Sequence, residues 1–269
     1  MSLVLHCHDS GPVSDSQLER LPLLVIHGLM GSADNWRSHI KQWQAKRRVV
    51  AVDLRNHGRS PHAEGMSYED MANDVLLTLD RLGIGRCHVL GHSMGGKVAM
   101  TLARRQSQRV ASLLVADIAP IVYQHGHDTI FAALRHVEAN HPADRREVDA
   151  LLAEYIAERP TRLFLATNLE RDDDGCMHWR IGLNEIESGY EDIRAAPAGE
   201  GSYQGPCLLL RGAHSDYVGD EVLADVEAVM PAVHVVTLNA GHWLHAEQPE
   251  AFQTAVNEFL DGLVETETA

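Results

Sequence analysis

Long apolar runs are missing from this chain. No segment approaches the ~20 apolar residues of a membrane-spanning helix, and Met1 to His8 has neither a basic region nor enough apolar length for a secretory leader. Cysteine is also scarce. The four present, Cys7, Cys87, Cys176 and Cys207, lie far apart with no C-x-x-C pair. Cys87 and Cys207 fall inside apolar runs and read as small core residues, as suits a reducing compartment. A cytoplasmic protein is expected. Positive charge is short as well: 23 Lys and Arg stand against 38 Asp and Glu, a formal net charge of -15. So acidic a surface repels phosphate backbones and anionic lipid, which argues against nucleic acid and membranes as partners.

What is present suits a folded globular protein. At 269 residues, 45% hydrophobic and 23% charged, the chain can bury a large core in one domain, or in one domain plus an insertion. The most informative stretch runs from Cys87 to Ala103. Cys87-His-Val-Leu90 reads as a buried strand and Lys97 to Ala103 as a helix, with Gly91-x-Ser93-x-Gly95 between them. A sharp strand-to-helix turn of this kind holds its central serine in strained backbone, so that the hydroxyl stands clear. Glycine is needed two residues to either side, where strand and helix backbones pass too close for a side chain.

Upstream, residues 2–8 and Leu23 to Ile26 are strand-like, and the polar Gly11-Pro12 stretch between them looks like a turn or weak hairpin. His6-Cys7-His8 is not read as a metal site, because alternate residues of a strand face opposite ways. The loop His27-Gly-Leu-Met-Gly-Ser32 then leads toward a helix near Asn35-Trp36. Paired with the serine turn, it predicts an oxyanion hole made by the backbone amides of Leu29 and Met94. Val49 to Val52 is a further buried strand, and the dense polar run Asp53 to Pro61 reads as a hydrogen-bonded brace.

A helix is predicted over Tyr68 to Leu82, closed by Gly83, and a strand over Val110 to Ala116 with Asp117 at its carboxyl end. Alternating strands and helices imply a mostly parallel sheet with helices on both faces. From Ile121 to Tyr203 the rhythm changes to helices at Asp128–Ala139, Arg145–Glu158 and Thr161–Leu169. Asp172-Asp-Asp-Gly175 follows and reads as a hairpin tip rather than a calcium loop. The α/β pattern resumes at Pro206 to Gly212, with a helix over Asp220 to Val229, a strand over Val233 to Leu238 and a last helix from Pro249. The tail from Glu265 is expected to fray. The division that follows is a core of 1–120 and 204–269, with a helical cap, 121–203, over the carboxyl edge of the sheet.

A serine hydroxyl needs a base within hydrogen-bond reach. With 17 histidines, only position can choose one. His242 follows the last strand, on the serine's edge, with Gly241 giving its loop room to bend inward. His245 reads as structural, and His92 is expected to point away from Ser93. The carboxylate that orients the base is either Asp117 or Asp216, both in the order Ser…Asp…His.

Taken together, His27-Gly-Leu-Met-Gly-Ser, Asp53-Leu-Arg-Asn-His-Gly-Arg-Ser, Gly91-His-Ser-Met-Gly-Gly-Lys, Asp117-Ile-Ala-Pro and Gly241-His-Trp-Leu-His-Ala-Glu resemble the α/β-hydrolase superfamily. More narrowly they are similar to the small YbfF-type bacterial carboxylesterases, over about Leu21 to Leu260. The resemblance implies Ser93 as nucleophile, His242 as base, Asp117 as acid, and Leu29 and Met94 as oxyanion donors. The commoner superfamily acid position is Ser215 here, with Asp216 beside it. The expected reaction is hydrolysis of a small-molecule acyl ester or thioester through an acyl-serine, with no cofactor and no metal. Arg135, Arg145, Arg146, Arg159 and Arg162 suggest a meeting with acyl-CoA phosphates, or simply solvated helix faces. A cofactor-free perhydrolase or a carbon–carbon bond hydrolase would use the same three residues. A ligand receptor that keeps the fold without turnover is the alternative of a different class.

Overall fold

The computed structural model describes residues 2–11, 20–124 and 126–267. The first strand is β1 (Cys7–Asp9), followed by β2 (Leu23–Ile26), β3 (Val49–Val52), β4 (Cys87–His92) and β5 (Val110–Ala116). Every residue of β2 to β5 is buried, the pattern of parallel strands covered on both faces. The stretch after β5 holds a hairpin, β6 (Leu169–Arg171) with β7 (Met177–Trp179), and the main sheet is completed by β8 (Cys207–Gly212) and β9 (Val233–Leu238). Its order is β1-β3-β2-β4-β5-β8-β9, parallel throughout except that β1 runs antiparallel to β3. The expected weak hairpin is therefore not formed, since β1 pairs with β3 instead of β2. Pro12 itself lies outside the described residues.

Helices α1 (Arg37–Trp43), α2 (Tyr68–Arg81) and α3 (Met94–Arg105) alternate with the first strands. Between β5 and β8 come α4 (Asp128–Asn140), α5 (Arg145–Ala153), α6 (Arg159–Leu165), α7 (Leu183–Ser188) and α8 (Tyr190–Arg194), and the chain ends with α9 (Leu223–Val229), α10 (Leu244–Glu247) and α11 (Pro249–Glu267). Alternate residues of each strand feed two cores. Leu24, Ile26, Val50 and Val52 pack with α2, α3 and α9, while Leu23, Val25, Val49 and Ala51 pack with α1 and α11.

Several element ends differ from expectation for local reasons. Helix α5 stops at Ala153, yet Val148, Leu152 and Ile156 are all buried, so the helical period outlasts the helix. Helix α6 starts at Arg159 because Pro160 is tolerated in a first turn, and it ends early because Leu169 opens β6. Asp172 closes the hairpin tip by accepting the Cys176 amide at 2.7 Å. The final helix continues through Glu267, beyond the point where fraying is expected, and residues 268–269 lie outside the described residues.

This topology decides where a ligand can sit. The chain runs from β2 outward to β3, then returns to place β4 on the other side of β2. The crevice at such a switch point lies beyond the carboxyl ends of β2 and β4, between the loop from His27 and the turn at Ser93.

Candidate active site

The turn at Ser93 is built by crowding. Ser93 has φ 52° and ψ -123°, a conformation costing about 1–3 kcal/mol for a residue other than glycine. Its amide donates to the Ala116 carbonyl at 2.9 Å, which holds the turn against β5. A Cβ on Gly91 would collide with the Gly95 carbonyl, and one on Gly95 with the carbonyls of Ile26 and His27. Both glycines are required by close backbone approach.

Register carries the next residue into place. His92 of β4 pairs with Ala116 of β5, so Ser93 and Asp117 leave neighbouring strands at the same level. Asp117 is fully buried and also has positive φ, 52°. Its Oδ1 accepts the Gly212 amide at 2.8 Å, and its Oδ2 accepts the Ser215 hydroxyl and lies 2.8 Å from Nδ1 of His242. Nε2 of His242 lies 3.0 Å from Oγ of Ser93. With the imidazole neutral, Nδ1–H donates to Asp117 and the Ser93 hydroxyl donates to Nε2. The ring also stacks on Tyr217, 3.9 Å between centroids. Of the two candidate carboxylates, Asp117 reaches His242; Asp216 is exposed at the cavity rim.

His92 has a partner that its position beside Ser93 does not announce. Its Nε2 donates to the His242 carbonyl at 2.9 Å, and the two rings lie 4.8 Å apart. It holds the loop that carries His242. Burial pushes it down to about 3, so it stays neutral at ordinary pH. A histidine next to a serine has no feature in sequence that reveals a partner 150 positions away. His245 is structural as read, stacked on Trp36 at 4.4 Å.

The amides of Leu29 and Met94 border the same serine. A Cβ on Gly28 would lie 3.1 Å from Cβ of Ser93, which shows how closely that loop abuts it. Met94 is the first residue of α3, where an amide has no partner within the helix. Among the described residues, neither amide has a hydrogen-bond acceptor in the protein. The loop is braced on both sides. His27 accepts the Leu54 amide at Nε2, 2.9 Å, and so carries its proton on Nδ1, which donates to the Gly28 carbonyl at 2.7 Å. Asn168, between α6 and β6, donates to the Met30 carbonyl at 2.7 Å.

The polar run from Asp53 is a brace, as its density suggests. Asp53 accepts the amides of Ala33 and Arg59 at 2.7 and 2.9 Å and pairs with His6, while Arg55 and Asp74 form a buried ion pair at 2.6 Å.

Above these groups lies a cavity of about 340 Å³ with mostly apolar walls. Leu29, Met94 and Ile118 line it from the sheet side, and Ile130, Phe164 and Ile193 from the stretch between β5 and β8. Three arginines of that stretch are engaged within the protein: Arg135 with Glu138 and Glu187, Arg145 with the Ala166 carbonyl, and Arg162 with Asp149. Among the described residues no group of three or more His, Cys, Asp or Glu side chains could hold a metal ion, and no helix is long and apolar enough to cross a membrane.

Comparison with known proteins agrees with this architecture. Residues 22–159 match the α/β hydrolase fold family. The chain is 38% identical to an sn-1-specific diacylglycerol lipase of Mus musculus, covering 89% of this chain and 81% of that one. It is 34% identical to the esterase YbfF of Escherichia coli, covering 92% and 96%. Among solved structures, a marine microorganism esterase is 38% identical and superposes with a TM-score of 0.89 over 96% of this chain and all 100% of its own. The chain therefore belongs to the α/β-hydrolase fold family and is an esterase- or lipase-type hydrolase.

Proposed function

We propose that the protein hydrolyses carboxylic esters with an apolar acyl group through an acyl-enzyme formed on Ser93. The observation that carries this reading is the unbroken hydrogen-bonded line from Ser93 through His242 to Asp117, at the floor of an apolar cavity. Oγ of Ser93 attacks the ester carbonyl carbon while Nε2 of His242 takes the hydroxyl proton. Asp117 keeps the other ring proton on Nδ1 and stabilises the imidazolium. The amides of Leu29 and Met94 receive the oxyanion, a contribution worth about 10²–10³ in rate per donor. His242 then protonates the departing alcohol, and water repeats the sequence to release the acid.

The acyl group enters the apolar cavity of about 340 Å³. Residues 121–203 act as a cap over it. The relatives named for ester and lipid substrates favour an ester. The engagement of Arg135, Arg145 and Arg162 removes much of the support for a phosphate-bearing thioester. The four cysteines are free thiols, in keeping with a cytoplasmic setting.

Kinetics of Ser93→Ala on p-nitrophenyl esters test the proposal. Turnover should fall by about 10⁶, toward background, with circular dichroism unchanged. Near-wild-type hydrolysis by this variant would overturn it.

A further inference from the structure

Lys97 lies one helical turn beyond Ser93 on α3, 1% exposed, and the reaction above leaves it without a task. Among the described residues no carboxylate comes within ion-pair distance of it. Its Nζ donates instead to three backbone carbonyls: Ile121 at 2.8 Å, Arg194 at 3.2 Å and Ala195 at 2.5 Å. The ammonium also sits 4.7 Å from the centroid of the Tyr123 ring. As an ammonium it has three N–H groups and they meet three acceptors, so none is left for a substrate. Burial pushes this amine down to about 7, while the three carbonyls and the ring face favour its charged form.

The placement of those carbonyls gives the arrangement its meaning. Ile121 is where the chain leaves the sheet after β5, and Arg194 and Ala195 are where it returns after α8. The two crossings also bond each other directly. The Tyr123 amide donates to the Arg194 carbonyl at 3.0 Å, and Nε of Arg194 donates to the Tyr123 carbonyl at 2.9 Å. The stretch between them carries the cavity walls at Ile130, Phe164 and Ile193. It is also tied to the sheet side by Asn168 on the Met30 carbonyl, by the Gly182 amide on the Asn56 carbonyl and by the Tyr68 hydroxyl on the Ile193 carbonyl, but only at this junction do both of its ends meet.

We propose that Lys97 is a positioning residue that clamps both crossings to the helix following Ser93, and thereby sets the width of the acyl cavity and the enzyme's preference for acyl length. The proposal rests on the ester-hydrolase reading. A short acyl group needs only the walls beside Ser93. A longer one depends on the far wall, which recedes when the clamp is removed.

Lys97→Met keeps the length of the side chain and removes its donors. Each acyl methylene that loses its burial costs about fourfold in binding, so a retreat from two of them costs about fifteenfold. The variant and the wild type are compared on p-nitrophenyl acetate and p-nitrophenyl octanoate, with hydrogen exchange followed by mass spectrometry. The expected result is a loss in kcat/KM at least about tenfold greater for the octanoate, carried mainly by KM. Exchange should quicken in peptides covering 119–124 and 193–198 but stay unchanged in 110–116. Equal losses on the two esters, or unaltered exchange at the crossings, would overturn the clamp. Should Lys97→Met fail to fold, Lys97→Leu, which also removes every donor, takes the same measurements under the same criteria. If the wild type neither hydrolyses an ester nor reacts with a small organophosphonate at Ser93, the ester-hydrolase reading falls, while exchange at the crossings still judges the clamp.

Discussion

Asp117 is held by three donors although it is fully buried: the Gly212 amide, the Ser215 hydroxyl and the ring of His242. Both carboxylate oxygens are thereby fixed, and with them the tautomer of His242. Asp117→Asn should lower kcat by about 10⁴ while the protein stays folded, whereas Asp216→Asn should leave steady-state kinetics near wild type. The opposite ranking would move the acid to the later loop. The residues alone leave these two aspartates open, for a physical reason. Each follows a buried strand, and neither the pairing of β5 with β8 nor the left-handed backbone of Asp117 has a local signature. Ser93 and His242 are legible because a glycine-flanked serine and a loop after the last strand have few other uses. The task of His92 is not legible, since the carbonyl it holds belongs to a distant loop.

Among the elements, α3 shows how tertiary crowding overrides local preference. Gly95 and Gly96 disfavour a helix, so the sequence pattern begins it at Lys97, yet the helix starts at Met94. Its first turn passes so close to β2 that only glycine fits. Gly95→Ala should therefore cost about 3 kcal/mol or more in urea unfolding, because the obstructing atoms are strand backbone and cannot swing aside. Gly262, on the exposed side of α11, has no positive φ, and a Cβ placed on it would meet nothing within 4 Å. Gly262→Ala should raise stability by about 1 kcal/mol. A loss at 262, or tolerance at 95, would contradict the packing described. The ends of α5 and α6 are less legible, because buried Ile156 prolongs one helical period and Leu169 belongs to a strand whose partner lies beyond the hairpin tip.

For the molecule as a whole, burial of histidine sets the response to acid. Burial pushes His57, His88 and His92 down to about 3, against 6.5 for an ordinary imidazole. The unfolded chain then binds more protons than the folded one between pH 6.5 and about 3, so this stability is fully present above pH 6.5 and is lost as pH falls through that window. Between pH 6.5 and 5.5 each histidine contributes a loss of about 1 kcal/mol, of order 3 kcal/mol for the three. Relief of repulsion within a chain of net charge -15 acts in the other direction, but few carboxylates titrate above pH 5.5. Urea midpoints at pH 7.5, 6.5 and 5.5 should fall in that order; a flat profile would contradict the account. At this scale the parallel sheet is legible because its strands lack polar alternation. Strand order is only partly so, because crossovers such as the return of β4 beside β2 leave no mark in the residues themselves.

The central claim is that a covalent bond forms at Ser93. Rapid acid quench of the wild type during turnover of an activated octanoyl ester, followed by peptide mass spectrometry, tests it directly. The account predicts an octanoyl mass increment on the peptide that contains Ser93, absent from Ser93→Ala. An increment on another residue, or ester hydrolysis that continues in Ser93→Ala at the wild-type rate with no acylated peptide, would contradict it.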